Sequence, residues 1–380
     1  MNSSFASLSS AEQEQKSYLS NLTIVVPTYK RPDHVLATVK FWSGRGPRLL
    51  VLDGSPNATR DDGLFDSVEG LTYVHMPESV QSRLSQSSKY IQTEYVTLMG
   101  DDEVHMPSSL TASIKELEGN PKLASCLGWS VGFNCRVRKG SVSEIHGFPA
   151  YPGLYFYENT KETAQERIKA HFGNYVPSNI YAVVRTDAFW NAMKMINAPG
   201  ERFFGIGEIE FEIAILYQGG NKVIPFLHWL RNFGTYGDYR EEDPDTNPEK
   251  MFHDCFLDPE YSAWREEFLS TRSQILAAID GQEVKHVRIW LEEALQLYSE
   301  ICASSRSKPT VGTQFSLFLR KYVRSAIPPG HRSQAREILN KIMRKDLAPS
   351  LQEFVKNLSL SGMNYSEEEL AQVIEERLQG

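Results

Sequence analysis

Short apolar runs closed by turn residues alternate with helical periodicity through the first hundred residues. Residues 22–26 are apolar and end at Pro27, and residues 32–42 place apolar side chains at helical spacing behind Pro32. A second run, 48–52, ends at Asp53-Gly54-Ser55, and a third covers 71–75. Residues 80–92 predict a helix, and 94–99 form a fourth run that ends at Gly100-Asp101-Asp102-Glu103. This alternation predicts parallel strands joined by crossover helices. Ligands of such sheets gather beyond the carboxyl ends of the strands, where Asp53 and the acidic triplet both fall.

The middle of the chain mixes strands (124–133, 179–184, 222–229) with a helix over 209–217 that Gly219-Gly220 ends. Beyond 261 the pattern is helical: 261–278, 283–302, 313–326, 333–343 and 367–378, with Pro328-Pro329-Gly330 as punctuation. The expected division is a poorly ordered arm (1–20), an α/β catalytic domain (21–240), a connecting segment (241–260) and a helical C-terminal domain (261–380).

Composition adds limits. The 380 residues are 41% hydrophobic and 11% aromatic, enough for a large core. No stretch reaches the roughly 18 apolar residues of a membrane span, and the first residues lack the basic start and apolar run of a signal peptide. The four cysteines have no CxxC spacing, so neither a disulfide framework nor a zinc site is expected. The chain is expected to be cytoplasmic. Net charge is −8, yet residues 306–345 carry ten basic side chains and one acidic. Within them Arg320, Lys321 and Arg324 flank a stripe of Phe315, Phe318, Leu319, Tyr322 and Ala326. That fits a bundle helix with a solvated basic rim, which is favoured, or a helix lying on anionic lipid at the inner face of a membrane. A nucleic-acid partner is not expected.

Three strand ends carry the chemistry: Val25-Val26-Pro27-Thr28-Tyr29-Lys30-Arg31-Pro32, Leu50-Val51-Leu52-Asp53-Gly54-Ser55 and Thr97-Leu98-Met99-Gly100-Asp101-Asp102-Glu103. In this order and spacing the chain resembles the family-2 glycosyltransferases, over about residues 22–235. The resemblance implies a GT-A fold, a Rossmann-like mixed sheet flanked by helices, which binds a sugar nucleotide. It also implies transfer to a glycan or lipid-linked acceptor, commonly with inversion, in cell-surface polysaccharide synthesis. A UDP-sugar is the favoured donor. Two other readings stay open: a non-catalytic nucleotide- or carbohydrate-binding protein of this fold, and a sugar-phosphate nucleotidyltransferase. The second lacks its Gly-rich basic loop after the first strand.

A sugar nucleotide's diphosphate must be neutralised, and Mg²⁺ or Mn²⁺ prefers carboxylate oxygens. The resemblance puts Asp101 and Glu103 at the outer positions of a D-x-D-like motif with Asp102 between them. The sequence reads D-D-E, so the pair that meets metal is open. The bland alternative is a solvated acidic turn before the helix at Pro107. By the same resemblance Asp53 faces the nucleotide base, and Pro27, Thr28, Tyr29 and Arg31 line the base and ribose pocket. Arg83 lies near the phosphates, and His228 completes the metal shell or touches phosphate. Asp53 also reads as an Asp-Gly turn, Arg83 as a solvated helix residue and His228 as a satisfied core histidine. His253 is a weaker ligand candidate. Trp129, Tyr155, Tyr157 and Trp229 could stack on sugars but read more readily as core.

A second acidic cluster is Gly205-Ile206-Gly207-Glu208-Ile209-Glu210-Phe211-Glu212. Alignment on Glu210-Phe211 puts Glu208 where relatives keep the aspartate that serves as general base. Glu208 and Glu212 share a helix face, whereas Glu210 points about 200° from Glu208. Both Glu208 and Glu210 are carried as catalytic candidates, against the alternative that acidic residues merely favour a helix N-terminus.

Overall fold

The computed structural model describes residues 9–59, 62–138, 141–233, 247–306 and 349–378. The basic helices expected at 313–326 and 333–343, with Arg320, Lys321 and Arg324, lie outside the described residues.

The chain enters through α1 (Ser10–Leu19). Within the arm expected to be poorly ordered over 1–20, residues 9–20 are instead structured: Ser9 and Glu12 form a reciprocal capping box, and Leu19 is buried, while residues 1–8 lie outside the described residues. There follow β1 (Leu22–Thr28), α2 (Pro32–Trp42), β2 (Arg48–Asp53), α3 (Asp62–Phe65), β3 (Leu71–His75), α4 (Val80–Gln86) and β4 (Tyr95–Leu98). The helix expected to reach residue 92 ends at Gln86 and gives way to a 3-10 turn, Ser87–Lys89. Strands β3, β2, β1 and β4 lie side by side in that order, all parallel. Sequence order therefore reverses between β1 and β4, which opens a crevice at the carboxyl edge between them.

The second half extends the sheet. It contains β5 (Val104–His105), α5 (Pro107–Gly119), β6 (Leu123–Arg138), β7 (Ser141–Pro149), β8 (Glu158–Asn159), α6 (Ala164–Phe172), β9 (Val183–Arg185), α7 (Thr186–Ile196), β10 (Phe203–Phe204), α8 (Ile206–Gln218) and β11 (Gly220–Asn232). The full order is β3-β2-β1-β4-β9-β6-β11-β5, with β7 on β6 and β8 on β11. Strand β9 is antiparallel to both β4 and β6, while β11 is parallel to β6. Two reversals restore the direction, so β1, β4, β6 and β11 all point the same way. The result is the expected mixed α/β sheet of ten strands, flanked by helices.

A helical region follows β12 (Asn247–Met251), which pairs with β10: α9 (Phe252–Leu257), α10 (Ser262–Asp280) and α11 (Val284–Arg306). Gly281, at φ +75°, ends α10 in the left-handed conformation that glycine adopts without strain. The described chain closes with α12 (Leu351–Ser359), α13 (Glu367–Val373) and a π turn, Ile374–Leu378. These last elements return to the sheet: Ser350 bridges His146 on β7, and Asn364 bridges Phe226 on β11. No helix among the described residues is long and apolar enough to cross a membrane.

Candidate active site

The crevice between β1 and β4 is closed by side chains from both strand ends. Thr28, the last residue of β1, donates its hydroxyl to an Asp101 carboxylate oxygen at 2.7 Å. Arg31, just before α2, brings one guanidinium nitrogen to 2.9 Å from Asp101 and 2.9 Å from Asp102. The two carboxylates therefore converge on one point. Burial pushes the Asp101 carboxyl up, against the pull of Thr28 and Arg31. His34, on the first turn of α2, faces this cluster, and burial holds its ring below the usual imidazole range. The Asp101 carbonyl accepts from Thr38 at 3.3 Å and from the guanidinium of Arg377, which arrives from the far end of the chain.

Glu103 departs from the expected metal set. It is buried, accepts from the Trp229 indole at 2.9 Å and lies 3.7 Å from Arg231. Burial pushes its carboxyl up to about 8. His228 departs too. Its ring is fully buried between Ser109, 2.9 Å from Nδ1, and the Tyr181 carbonyl, 3.2 Å from Nε2. The carbonyl can only accept, so Nε2 carries the proton and Nδ1 accepts from Ser109. Desolvation pushes the ring down to about 4. This is a satisfied core histidine, because Ser109 and Tyr181 consume both of its nitrogens. His253 is likewise buried, beside Asp254.

Among the described residues no three His, Cys, Asp or Glu side chains are grouped to hold a metal. The donor set left by Glu103 and His228 is Asp101 and Asp102. Two carboxylates suit a hard cation that keeps waters and takes its remaining ligands from a diphosphate. The residues thus fit a cation that binds together with a nucleotide, not a preformed protein cage.

At the ends of β1 and β2, Pro27 and Tyr29 are partly buried beside Thr28, and the Lys30 ammonium stands 5.0 Å from the centre of the Tyr29 ring. Lys30 turns the chain with φ +53°, and its N–H donates to Ser55 at 2.7 Å. Asp53 is fully buried and already engaged. Its carboxylate accepts from the N–H groups of Ser55 and Thr59, both at 2.8 Å, and from the Tyr73 hydroxyl at 2.6 Å. Burial opposes ionisation, but these donors hold its carboxyl below the usual range. These contacts form an Asx-type turn that shapes residues 53–59, the alternative reading of Asp53. Arg83, expected near phosphates or in solvent, is buried and donates to the carbonyls of Thr28, Leu52 and Glu78. It packs so close beneath Gly54 that a Cβ there would lie 2.6 Å from its Cζ. Arg83 ties the ends of β1 and β2 together.

The second acidic cluster opens α8. That helix leads through Gly219 into β11, so its first turn lies at the same carboxyl edge as Asp101. Gly205, at φ +86°, permits the sharp entry. Glu208 is partly buried and accepts from the Tyr175 hydroxyl. Desolvation, opposed by Tyr175 and assisted by the negative Glu212, pushes its carboxyl up to about 7. Glu210 is corrected as a catalytic candidate. It is fully buried between Arg202, at 2.7 Å, and Arg272 of α10, at 2.6 Å. Glu212 is buried too. It accepts from the Asn179 N–H at 2.9 Å and the Asn179 amide, 3.3 Å from His171, which the Tyr157 hydroxyl meets at 2.7 Å.

This network of Tyr157, His171, Tyr175 and Asn179 carries no motif, and sequence reasoning missed it apart from Tyr157 as an aromatic. Arg377 was missed as well. Trp229, read as core, is buried and stacked between Tyr151 and Tyr181, and Trp129 is stacked on Tyr155.

Residues 23–191 match the family described as Glycosyl transferase family 2. None of the curated proteins searched matches the chain. Among solved structures, S. aureus TarS 1–349 in complex with UDP-GlcNAc is similar at 15% identity and TM-score 0.44, covering 91% of this chain and 93% of that one. A further crystal structure of S. aureus TarS 1–349 gives 13% identity and TM-score 0.42 over the same shares. The matched segment spans β1, the Asp101–Asp102 loop and most of α7, so residues 23–191 are similar to a glycosyl transferase family 2 domain.

Proposed function

We propose that the protein transfers a sugar from a nucleotide-diphosphate sugar, a UDP-sugar in the first instance, to a hydroxyl of a glycan or lipid-linked acceptor, with inversion. The observation that carries this reading is the convergence of Thr28, Arg31, Asp101 and Asp102 at the β1/β4 crevice. Arg31 offers a planar guanidinium to the diphosphate. A divalent cation, when bound at Asp101 and Asp102, supplies neutralisation of the leaving phosphates. Asp53 and Arg83 act indirectly, by fixing the two strand ends that wall the pocket.

Glu208 is the general base in this reading. Its carboxylate accepts the proton of the acceptor hydroxyl as that oxygen attacks the anomeric carbon, and the nucleoside diphosphate leaves from the opposite face with the bonding electrons. Tyr175 donates to Glu208 and orients it. A pKa of about 7 lets the group hold and release a proton near neutrality.

A thermal-shift panel of nucleotide sugars, each with and without Mn²⁺, tests the donor class. Stabilisation by a nucleotide sugar that grows with Mn²⁺ supports the reading. Failure of every donor to shift the melting temperature at millimolar concentration contradicts it.

A further inference from the structure

The C-terminal strap, residues 349–378, is held at five places along the catalytic domain. The Gly147 N–H on β7 donates to the Pro349 carbonyl at 3.2 Å. Asn364 exchanges two backbone hydrogen bonds with β11, to the Pro225 carbonyl at 2.7 Å and from the Leu227 N–H at 2.8 Å. Glu369 of α13 closes the N-terminus of α5, accepting from the Ser108 N–H at 2.8 Å and the Ser108 hydroxyl at 2.6 Å, and it also accepts from Gln15 at 3.1 Å. Glu376 pairs with Arg45 at 2.8 Å.

The fifth contact differs in kind. Arg377 is 6% exposed, and its guanidinium donates to the main-chain carbonyl of Asp101. A buried guanidinium is costly unless acidic groups offset it. The carboxylates whose charge reaches it are Asp101 and Asp102. Asp101 is thereby held at both ends, its carboxylate by Thr28 and Arg31 and its carbonyl by Thr38 and Arg377. Because Arg377 takes the carbonyl, it leaves the carboxylates turned toward Arg31 and the crevice.

We infer that Arg377 is a positioning residue for donor binding: the C-terminal strap completes the nucleotide site by fixing the main chain of the Asp101–Asp102 loop. The inference rests on the proposed role of that loop. It makes the last described turn, nearly 190 residues beyond the family-matched segment, part of the donor site.

The test uses the full chain with Arg377→Met, Arg377→Lys and Glu376→Gln. The last removes the neighbouring ion pair with Arg45 and leaves the Asp101 contact. Two readouts run in parallel: amide hydrogen exchange of residues 99–104 without nucleotide, and calorimetric affinity for UDP with Mg²⁺. Arg377→Met is expected to exchange about tenfold faster in 99–104 and to bind UDP about tenfold more weakly, with exchange in β1 unchanged. Arg377→Lys keeps the charge but not the fork and falls between, while Glu376→Gln behaves as wild type. Wild-type exchange in both Arg377 variants overturns the inference, whatever their UDP affinity. If wild type itself binds no UDP, the reading of the loop as a nucleotide site fails and the inference about donor binding falls with it, a result distinct from unchanged exchange. If Arg377→Met does not fold, Arg377→Lys carries both readouts.

Discussion

Glu208 and Glu210 are two residues apart and have opposite fates. Glu208 meets one hydroxyl, while Glu210 meets two buried guanidinium groups. The account therefore predicts that Glu208→Gln, nearly isosteric but unable to take a proton, lowers kcat by roughly 10²–10⁴-fold while UDP affinity stays at the wild-type value. Steady-state turnover and calorimetry check the two halves. The pH profile carries the same claim. The reaction needs the ionised form of a group raised to about 7. Activity should then fall about tenfold per unit well below that pH and level off above it, and the rising limb should vanish in Glu208→Gln. At this scale the sequence singled out Thr28, Arg31, Asp101 and Asp102, four side chains that the fold brings into contact. It left the role open where another part of the chain claims the side chain. Tyr73 and the 55–59 turn claim Asp53, Trp229 claims Glu103, and Ser109 with Tyr181 claims His228. Only the turn at Asp53 is announced by the local pattern; the other partners lie 20 or more residues away in the sequence.

Elements explain why these side chains are where they are. Helix α8 is acidic on two faces for two reasons: Glu208 and Glu212 look toward Tyr175 and His171, and Glu210 looks back to α10. The helical angle between Glu208 and Glu210 already separated them in the sequence, but Arg202 and Arg272 as the second partners did not follow from it. Glu210→Gln leaves two buried guanidinium groups short of a counter-charge, and it should cost about 3–5 kcal/mol of stability, read as a lowered denaturant midpoint. Glu208→Gln should leave that midpoint near wild type. A Glu210 variant that melts normally but loses turnover would return Glu210 to the catalytic set. The strands β1 to β4 were readable because each is an apolar run with a turn signal behind it. Strand β9 has only three residues and runs antiparallel between two longer strands, so its reversal depends on the register with Val96 and Ser125, which period alone does not encode.

At the scale of the whole molecule, the chain's two ends were the least legible parts. The expected arm contains α1, and the expected separate helical domain sends its last helices back across the sheet. Gln15 on α1, Ser108 on α5 and Glu369 on α13 meet at one carboxylate. Glu369→Ala removes those acceptors and should lower stability by roughly 1–3 kcal/mol through the uncapped start of α5, checked by thermal unfolding. The central claim, that this domain binds its donor at the Asp101–Asp102 loop, is tested most directly by titrating UDP with Mn²⁺ into wild type, Asp101→Asn and Asp102→Asn in a calorimeter. The account predicts measurable binding to wild type and at least about tenfold weaker binding, near 1.4 kcal/mol or more, to each variant at a temperature where all three proteins remain folded. Equal affinity in all three proteins would contradict it.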